Sequence, residues 1–302
     1  MIIGCGVIFA MARLNEIISG TTIVIAIVIL IIAIFILFVI KKQKESRYFH
    51  LPNEKNPFEG KKVIFIEDDN DEVNADGVRG HLVAKGSTNY KPGFYVKYIK
   101  RLLDLVVSFL GLIVLSPVFL LILILIKIDD PGPAYFTQKR VGQNKMFFKV
   151  HKFRSMKMNT PRDIPTHMLK KPDQYISKVG KFLRSHSLDE LPQIWDVFIG
   201  NMSIIGPRPA LWNQDFLTAE RDRYNANDVK PGLSGVAQLK GRDSISIPEK
   251  AKLDGEYVKR ISFLLDLKCF FGTFKKILKD DSIVEGELTS ENEEANKMKE
   301  SN

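Results

Sequence analysis

Cysteine is nearly missing from this 302-residue sequence: only Cys5 and Cys269 occur, both in apolar surroundings. Two such thiols exclude a disulfide framework and any cysteine-based zinc spacing, and they fit a reducing compartment. No P-loop, dinucleotide fingerprint, Ser-His-Asp set or internal repeat can be read either. Acidic residues are the minority charge, 35 Asp and Glu against 44 Lys and Arg, for a net charge of +9. Several of those acids collect after Ile283 (Glu285, Glu287, Glu291, Glu293, Glu294 and Glu300), so the body is more cationic than the total suggests. Cationic bodies favour nucleic acid, anionic lipid or phosphorylated ligands.

Long apolar runs are present. Residues 23–40 are eighteen consecutive apolar residues followed by Lys41-Lys-Gln-Lys44. That predicts a transmembrane helix over about 22–40, within an N-terminal segment 1–41, with its C-terminal end in the cytoplasm. A cleaved signal peptide is the alternative, disfavoured by the length of the run and the lack of a small-residue cleavage site after it. Residues 42–92 read as a polar cytoplasmic linker or small subdomain, with a short strand at Val63-Ile-Phe-Ile66. The acidic run Glu67–Glu72 invites a calcium-loop reading, but its best register, Glu72-x-Asn74-x-Asp76-Gly77, puts Val83 where the twelfth-position Glu belongs. A solvated loop is expected there.

The second apolar stretch, about 102–126, is long enough to span, but three features favour a helix-break-helix hairpin that re-enters on the same face. Lys97, Lys100 and Arg101 precede it, and Lys127, Lys139 and Arg140 follow, which places both ends in the cytoplasm. Pro117 lies near its middle, lacks an N–H and crowds the carbonyl of Ile113. Ser116 stands beside it, able to satisfy a backbone group freed by the break. An ordinary kinked spanning helix is the competing reading.

From Asp129 the composition turns globular. His151-Lys-Phe-Arg-Ser-Met156 alternates cations with aromatics, as a single-strand nucleic-acid groove or an ordinary basic surface would. Gly206-Pro-Arg-Pro209 pins Arg208 between two fixed backbone angles. Tyr257–Lys279 carries an apolar face (Phe263, Leu267, Phe270, Phe271, Phe274, Ile277, Leu278) margined by lysines, suiting a helix in the headgroup region or one packed on the core. Residues 284–302 are expected to be a disordered acidic tail.

The chemistry centres on Arg184-Ser-His-Ser-Leu-Asp-Glu-Leu-Pro-Gln193. Ser187-x-x-Glu190 reads as a capping box, but a helix begun there would make Pro192 its fifth residue, where the ring clashes. A start at Leu188 or Asp189 moves Pro192 into the first turn and puts both carboxylates at a helix N-terminus. Adjacent ionised carboxylates need neutralising cations, either Arg184 or magnesium bridging Asp189 and Glu190 to substrate phosphates. With Lys152, Arg154 and Arg208 in reserve, the set describes membrane-associated phosphate chemistry.

The ordered motifs are similar to those of the bacterial monotopic phosphoglycosyl transferases, the bacterial sugar transferases that begin glycan assembly on polyprenyl phosphate. They are Lys100-Arg-Leu-Leu-Asp104, Ser116-Pro117, Gln138-x-Arg140-x-Gly142, Lys152-Phe-Arg-Ser-Met156, Arg184-x-x-Ser-Leu-Asp-Glu-Leu-Pro-Gln193, Gly206-Pro-Arg-Pro209 and Lys230-Pro-Gly-Leu-Ser-Gly-x-Ala-Gln238.

The resemblance covers a domain at 93–283. It implies a membrane-associated fold, mainly α with a few short strands, with a cytoplasmic catalytic domain carrying interfacial amphipathic helices. It implies that a UDP-sugar gives up its sugar-1-phosphate to undecaprenyl phosphate with release of UMP, in exopolysaccharide, capsule, O-antigen or glycoprotein assembly. Asp189 would be the nucleophile, forming an aspartyl phosphosugar, with Glu190 assisting and Mg2+ as cofactor. Arg184 and Arg208 would hold the donor, with Lys152 and Arg154 as further phosphate contacts and Ser116-Pro117 as the membrane break. Membrane lipids and downstream glycosyltransferases are the other implied partners, at the bacterial cytoplasmic membrane; a homo-oligomer is compatible.

Two positions depart from the family pattern: Lys145 where a turn glycine is common, and Val236 where a bulky aromatic is. A catalytically silent membrane scaffold is the second hypothesis, disfavoured by the intact Asp-Glu pair. A membrane-anchored nucleic-acid binder rests on charge alone, and nucleic acid is not an expected partner.

Overall fold

The computed structural model describes residues 2–46, 55–88, 90–160, 172–241 and 245–278. The acidic tail expected at 284–302 lies outside them. Two compact units divide the chain, residues 1–45 and 46–302. The first is one helix, α1 (Ile2–Glu45). Its Thr22–Glu45 portion is long and apolar enough to cross a membrane, and its described apolar side chains are exposed.

The second unit is mostly helical. Its strands form three separate two-stranded sheets: β1 (Lys61–Glu67) with β2 (Gly80–Ser87), β3 (Tyr135–Val141) with β4 (Phe147–Phe153), and β5 (Ser203–Ile205) with β6 (Gly232–Ser234). The first two pairs are antiparallel and the third is parallel. Val63–Ile66 lies in β1, where a short strand was expected.

A π-turn at Tyr95–Ile99 leads into α2 (Lys100–Val114), and α3 (Ser116–Asp129) follows after one residue. The two arms bend by 57°. At the break, Ser116 Oγ donates to the Ile113 carbonyl at 2.7 Å, the group that Pro117 leaves without its helical partner. The exposed face of α2 is apolar (Leu102, Val106, Leu110, Ile113, Val114), and its buried face carries Lys100, Asp104 and Ser108 at four-residue spacing. Lys100 Nζ meets Asp266 Oδ2 at 2.6 Å. Asp104 Oδ1 accepts from Ser203 Oγ and Ile204 N, both at 3.0 Å. A helix with its polar stripe inward is built to keep its apolar face against something other than water.

Further on come α4 (Lys178–Ser185), α5 (Gln193–Ile199), α6 (Asp215–Asp222), α7 (Val236–Lys240), α8 (Ile247–Lys259) and α9 (Phe263–Leu278). Gly111 lets α2 lie directly on α5, since a Cβ there would come within 2.4 Å of Ile194 Cδ1. Arg101 donates to the Val197 and Phe198 carbonyls at the C-terminal end of α5. On α9, Phe263, Leu264, Leu267 and Phe271 are exposed while Phe270 turns into a core cluster around Ile205, Val229 and Tyr257. Val236 fills the edge of that same cluster. The side chains of Phe274, Ile277 and Leu278 lie outside the described residues.

The acidic run Glu67–Glu72 is exposed or half-buried, as expected of a solvated loop, but the segment just after it is not. Asn74 and Ala75 are buried, because this segment packs on the start of α6: Ala75 N donates to the Asn213 carbonyl and Leu217 N donates to Asp76 Oδ2. Lys145 does adopt a glycine-like backbone, with φ of 64° beside Asn144 at 54°. Its side chain is fully buried, with Nζ 3.0 Å from Asp222 Oδ1. Asn56 covers its carbonyl, and Val63 N donates to the other oxygen of Asp222.

Candidate active site

The Asp-Glu pair sits in a single 3-10 turn, Leu188–Glu190, entered through Ser187 at a left-handed φ of 53°. The helix start expected at Leu188 or Asp189 is therefore corrected: α5 begins at Gln193, with Pro192 in the N-cap position. Pro192 has no N–H to bond the Leu188 carbonyl, so the helix cannot run back through it. The Ser187 side chain does not cap the turn, so the capping box does not form. Asp189 occupies neither cap position.

Leu188 and Leu191 flank the carboxylates and pack into a cluster with Ile122 and Ile126 of α3, Phe153 and Leu183. The turn is thus fastened to the bent hairpin by its own apolar residues, with Asp189 largely buried between them.

The cations that meet Glu190 come from two distant elements. Arg208 holds it in a two-pronged pair, Nη1 to Oε2 at 3.0 Å and Nη2 to Oε1 at 2.6 Å. Lys152 Nζ adds a bond to Oε1 at 2.9 Å. These two cations offset the charge of Glu190. Planar fork against planar carboxylate is the strongest form of this contact and fixes orientation as well as charge.

Lys152 is delivered by β4, on the strand face shared with the buried Phe148 and Val150. Arg208 is delivered by the loop after β5. There Gly206 lies so close to Gly232 that a Cβ on Gly232 would fall 2.1 Å from the Gly206 nitrogen.

Arg154 is placed elsewhere. Its guanidinium binds the carbonyl of Asp130 and stands 3.5 Å from that residue's carboxylate, at the turn that closes the hairpin. Arg184 lies in the last turn of α4, three residues before the strained Ser187. Ser116 and Pro117 mark the hairpin's bend.

Two features were missed from sequence. Asp196 is fully buried on α5 and takes both the backbone N (2.9 Å) and Nδ1 (2.8 Å) of His151. Burial raises its carboxyl pKa, and the His151 bonds oppose that. The signal was a carboxylate interrupting the apolar run Trp195–Ile199. The second is the grouping of Asp68, Asp71 and His81, whose ligand atoms lie within 4.8 Å of one another on the β1–β2 hairpin. Among the described residues it is the one group of three such side chains. The Asp189–Glu190 turn therefore offers two hard oxygen donors and no third carboxylate. That set suits magnesium, which keeps waters and takes substrate phosphate oxygens to complete its shell.

The site is thus a carboxylate pair packed against the bent hairpin, its Glu190 braced by a lysine and a proline-flanked arginine. Residues 95–280 match the bacterial sugar transferase family, and the chain belongs to that family. It is 41% identical over 184 residues to the UDP-glucose:undecaprenyl-phosphate glucose-1-phosphate transferase of Klebsiella pneumoniae, covering 59% of this chain and 39% of that one. It is 34% identical over 192 residues to the exopolysaccharide production protein ExoY of Sinorhizobium fredii, covering 59% and 84%. It is also 34% identical over 206 residues to the undecaprenyl-phosphate galactose phosphotransferase of Salmonella typhimurium, covering 61% and 41%. The aligned region is thus about four tenths of the length of the first and third relatives.

Proposed function

We propose that this protein transfers a sugar-1-phosphate from a UDP-sugar to undecaprenyl phosphate at the cytoplasmic face of the bacterial membrane, beginning exopolysaccharide or capsule assembly. One observation carries the reading: Glu190 is held by Lys152 and Arg208 while its neighbour Asp189 stands in a turn that leaves it outside every helix cap. The names of the relatives support the substrates and differ in the sugar, glucose for one and galactose for another.

In this reading a carboxylate oxygen of Asp189 attacks the phosphorus that bears the sugar. The bond from that phosphorus to the UMP phosphate oxygen breaks, and UMP leaves with the electron pair. An oxygen of undecaprenyl phosphate then attacks the same phosphorus, and the Asp189 carboxylate departs, giving the undecaprenyl diphosphate sugar. Splitting the transfer in two replaces one difficult step by two easier ones. Arg208 and Lys152 orient Glu190 and add positive charge where the diphosphate must sit, and Arg184 holds the donor. Magnesium, when bound by Asp189 and Glu190, neutralises the diphosphate.

The hairpin supports this location. Seven large apolar side chains of α2 and six of α3 are exposed. At about half of the ~1.5–3 kcal/mol for full burial, since each is roughly half exposed, leaving that many in water forgoes roughly 10–20 kcal/mol, comparable with the ~5–15 kcal/mol by which a domain is stable. A bilayer entered and left on one face covers them, and the exposed edge of α9 suits the headgroup region beside it.

Radiolabelled UDP-glucose and UDP-galactose, incubated with undecaprenyl phosphate and magnesium, test the reading. Lipid-linked label is expected with the wild type, and a loss of about a thousandfold or more with Asp189→Asn. Undiminished transfer by that variant would refute the nucleophile, and no transfer by the wild type would favour a silent scaffold.

A further inference from the structure

We propose that Asp76, which lies outside the region shared with the family, is a positioning residue for Arg208, and that the β1–β2 hairpin acts on the site through it. The inference rests on the transfer reading only for its kinetic readout.

Arg208 is fixed from both sides of its loop. Before it, Gly206 N donates to the Ser234 carbonyl and Gly232 N to the Pro207 carbonyl, both at 2.8 Å. After it, Arg140 Nη1 donates to the Pro209 carbonyl and Val141 N to the Ala210 carbonyl. The remaining residues, Leu211 to Leu217, turn into α6. Gln214 holds the N-cap position there, but its side chain does not cap α6 and instead accepts from Leu211 N at 2.8 Å. A helix start needs outside acceptors for its first N–H groups.

The β1–β2 hairpin provides one. Asp76 Oδ2 accepts from Leu217 N at 3.0 Å across 141 residues of sequence. Ala75 N donates to the Asn213 carbonyl at 3.1 Å, and the Phe65 ring meets Phe216 edge-on at 5.5 Å. Burial raises the Asp76 carboxyl pKa, and the Leu217 N–H opposes that. Three contacts from one hairpin therefore grip five residues of the strap that carries Arg208, and Arg208 in turn sets both oxygens of Glu190. Catalytic groups misplaced by about 1 Å lose on the order of a hundredfold in rate, so a slack strap is costly.

The test uses the full chain. Transfer is measured against donor concentration with UDP-glucose or UDP-galactose, whichever the wild type turns over, alongside melting temperature and amide exchange of the 206–217 peptide. Asp76→Ala is expected to raise the donor KM five- to tenfold and to speed exchange in that peptide. Asp76→Asn keeps an oxygen for Leu217 N and is expected to stay within twofold of wild type. In the double variant Asp76→Ala/Arg208→Ala, the loss should equal that of Arg208→Ala alone, because one effect acts through the other.

Multiplying losses in the double variant, or an Asp76→Asn as impaired as Asp76→Ala, overturns the inference. If Asp76→Ala does not fold, Phe65→Leu carries the test, with the same KM shift and exchange expected; wild-type values overturn it. If the wild type transfers neither sugar, the transfer reading fails, and exchange in the 206–217 peptide alone decides. Faster exchange in Asp76→Ala but not in Asp76→Asn supports the positioning role, and unchanged exchange overturns it.

Discussion

Lys145 shows how one side chain can reverse the usual preference of a backbone position. A left-handed residue costs a non-glycine about 1–2 kcal/mol, so Lys145→Gly relieves strain. It also removes the ammonium that faces Asp222 in a site closed to water. Stranding one partner of a buried pair costs about 3–5 kcal/mol. The loss wins, and chemical denaturation of Lys145→Gly should show a net destabilisation of about 2–3 kcal/mol. Stability equal to or above wild type would mean that Asn227 and Val63, which also bond Asp222, suffice without the lysine. The sequence marked Lys145 as out of pattern but could not show its partner, 77 positions away. The same limit hid Lys152 from Glu190, 38 positions apart. Asp189 and Glu190 were legible as a pair because adjacency is local, and Pro192 flagged the problem with a helix through them. Which cations answer Glu190 depends on how β4 and the Arg208 loop converge, and no periodicity encodes that.

Elements were read more fully than contacts. The bend at Ser116-Pro117 follows from a missing N–H, and the Ser116 bond to Ile113 is what that chemistry calls for. The strand at Val63–Ile66 was legible as a short run of β-branched and aromatic residues bounded by charges. Its companion β2 was not, since the glycines at positions 80 and 86 and the polar residues between obscure its pattern. The inward stripe of α2 was also hidden: a run of leucine, valine and phenylalanine hides three polar residues spaced at four. A topology experiment tests the hairpin. With Cys5→Ser and Cys269→Ala as background, Lys97→Cys and Lys127→Cys should both resist impermeant thiol reagents applied to intact cells. Labelling at Lys127→Cys alone would mean that α2 and α3 cross the membrane as one kinked span. Both lysines are exposed, so protein burial does not shield them.

At the scale of the molecule, the second compact unit begins at Ser46, well before the family match at residue 95. Lys62 bonds Asp228 and Asn225, Thr88 bonds Asp228, and Val63 bonds Asp222, so residues 56–88 are built into that unit. A chain starting at Ser46 should therefore melt as one cooperative body, in detergent, close to the melting temperature of the full chain. A chain starting at Gly93 should melt well below it, having lost the Val63 bond to Asp222 and the Lys62 and Thr88 bonds to Asp228. Equal melting of the two would show that the preceding hairpin contributes no stability.

The polar stripe of α2 also sets an order of events during synthesis. Asp104 waits about a hundred residues for its partners, Ser203 and Ile204, and Lys100 waits 166 residues for Asp266. When α2 leaves the ribosome, its two charges have only each other, one helical turn apart, and water. The final packing of α2 on the domain can therefore form only after nearly all of the domain has been translated.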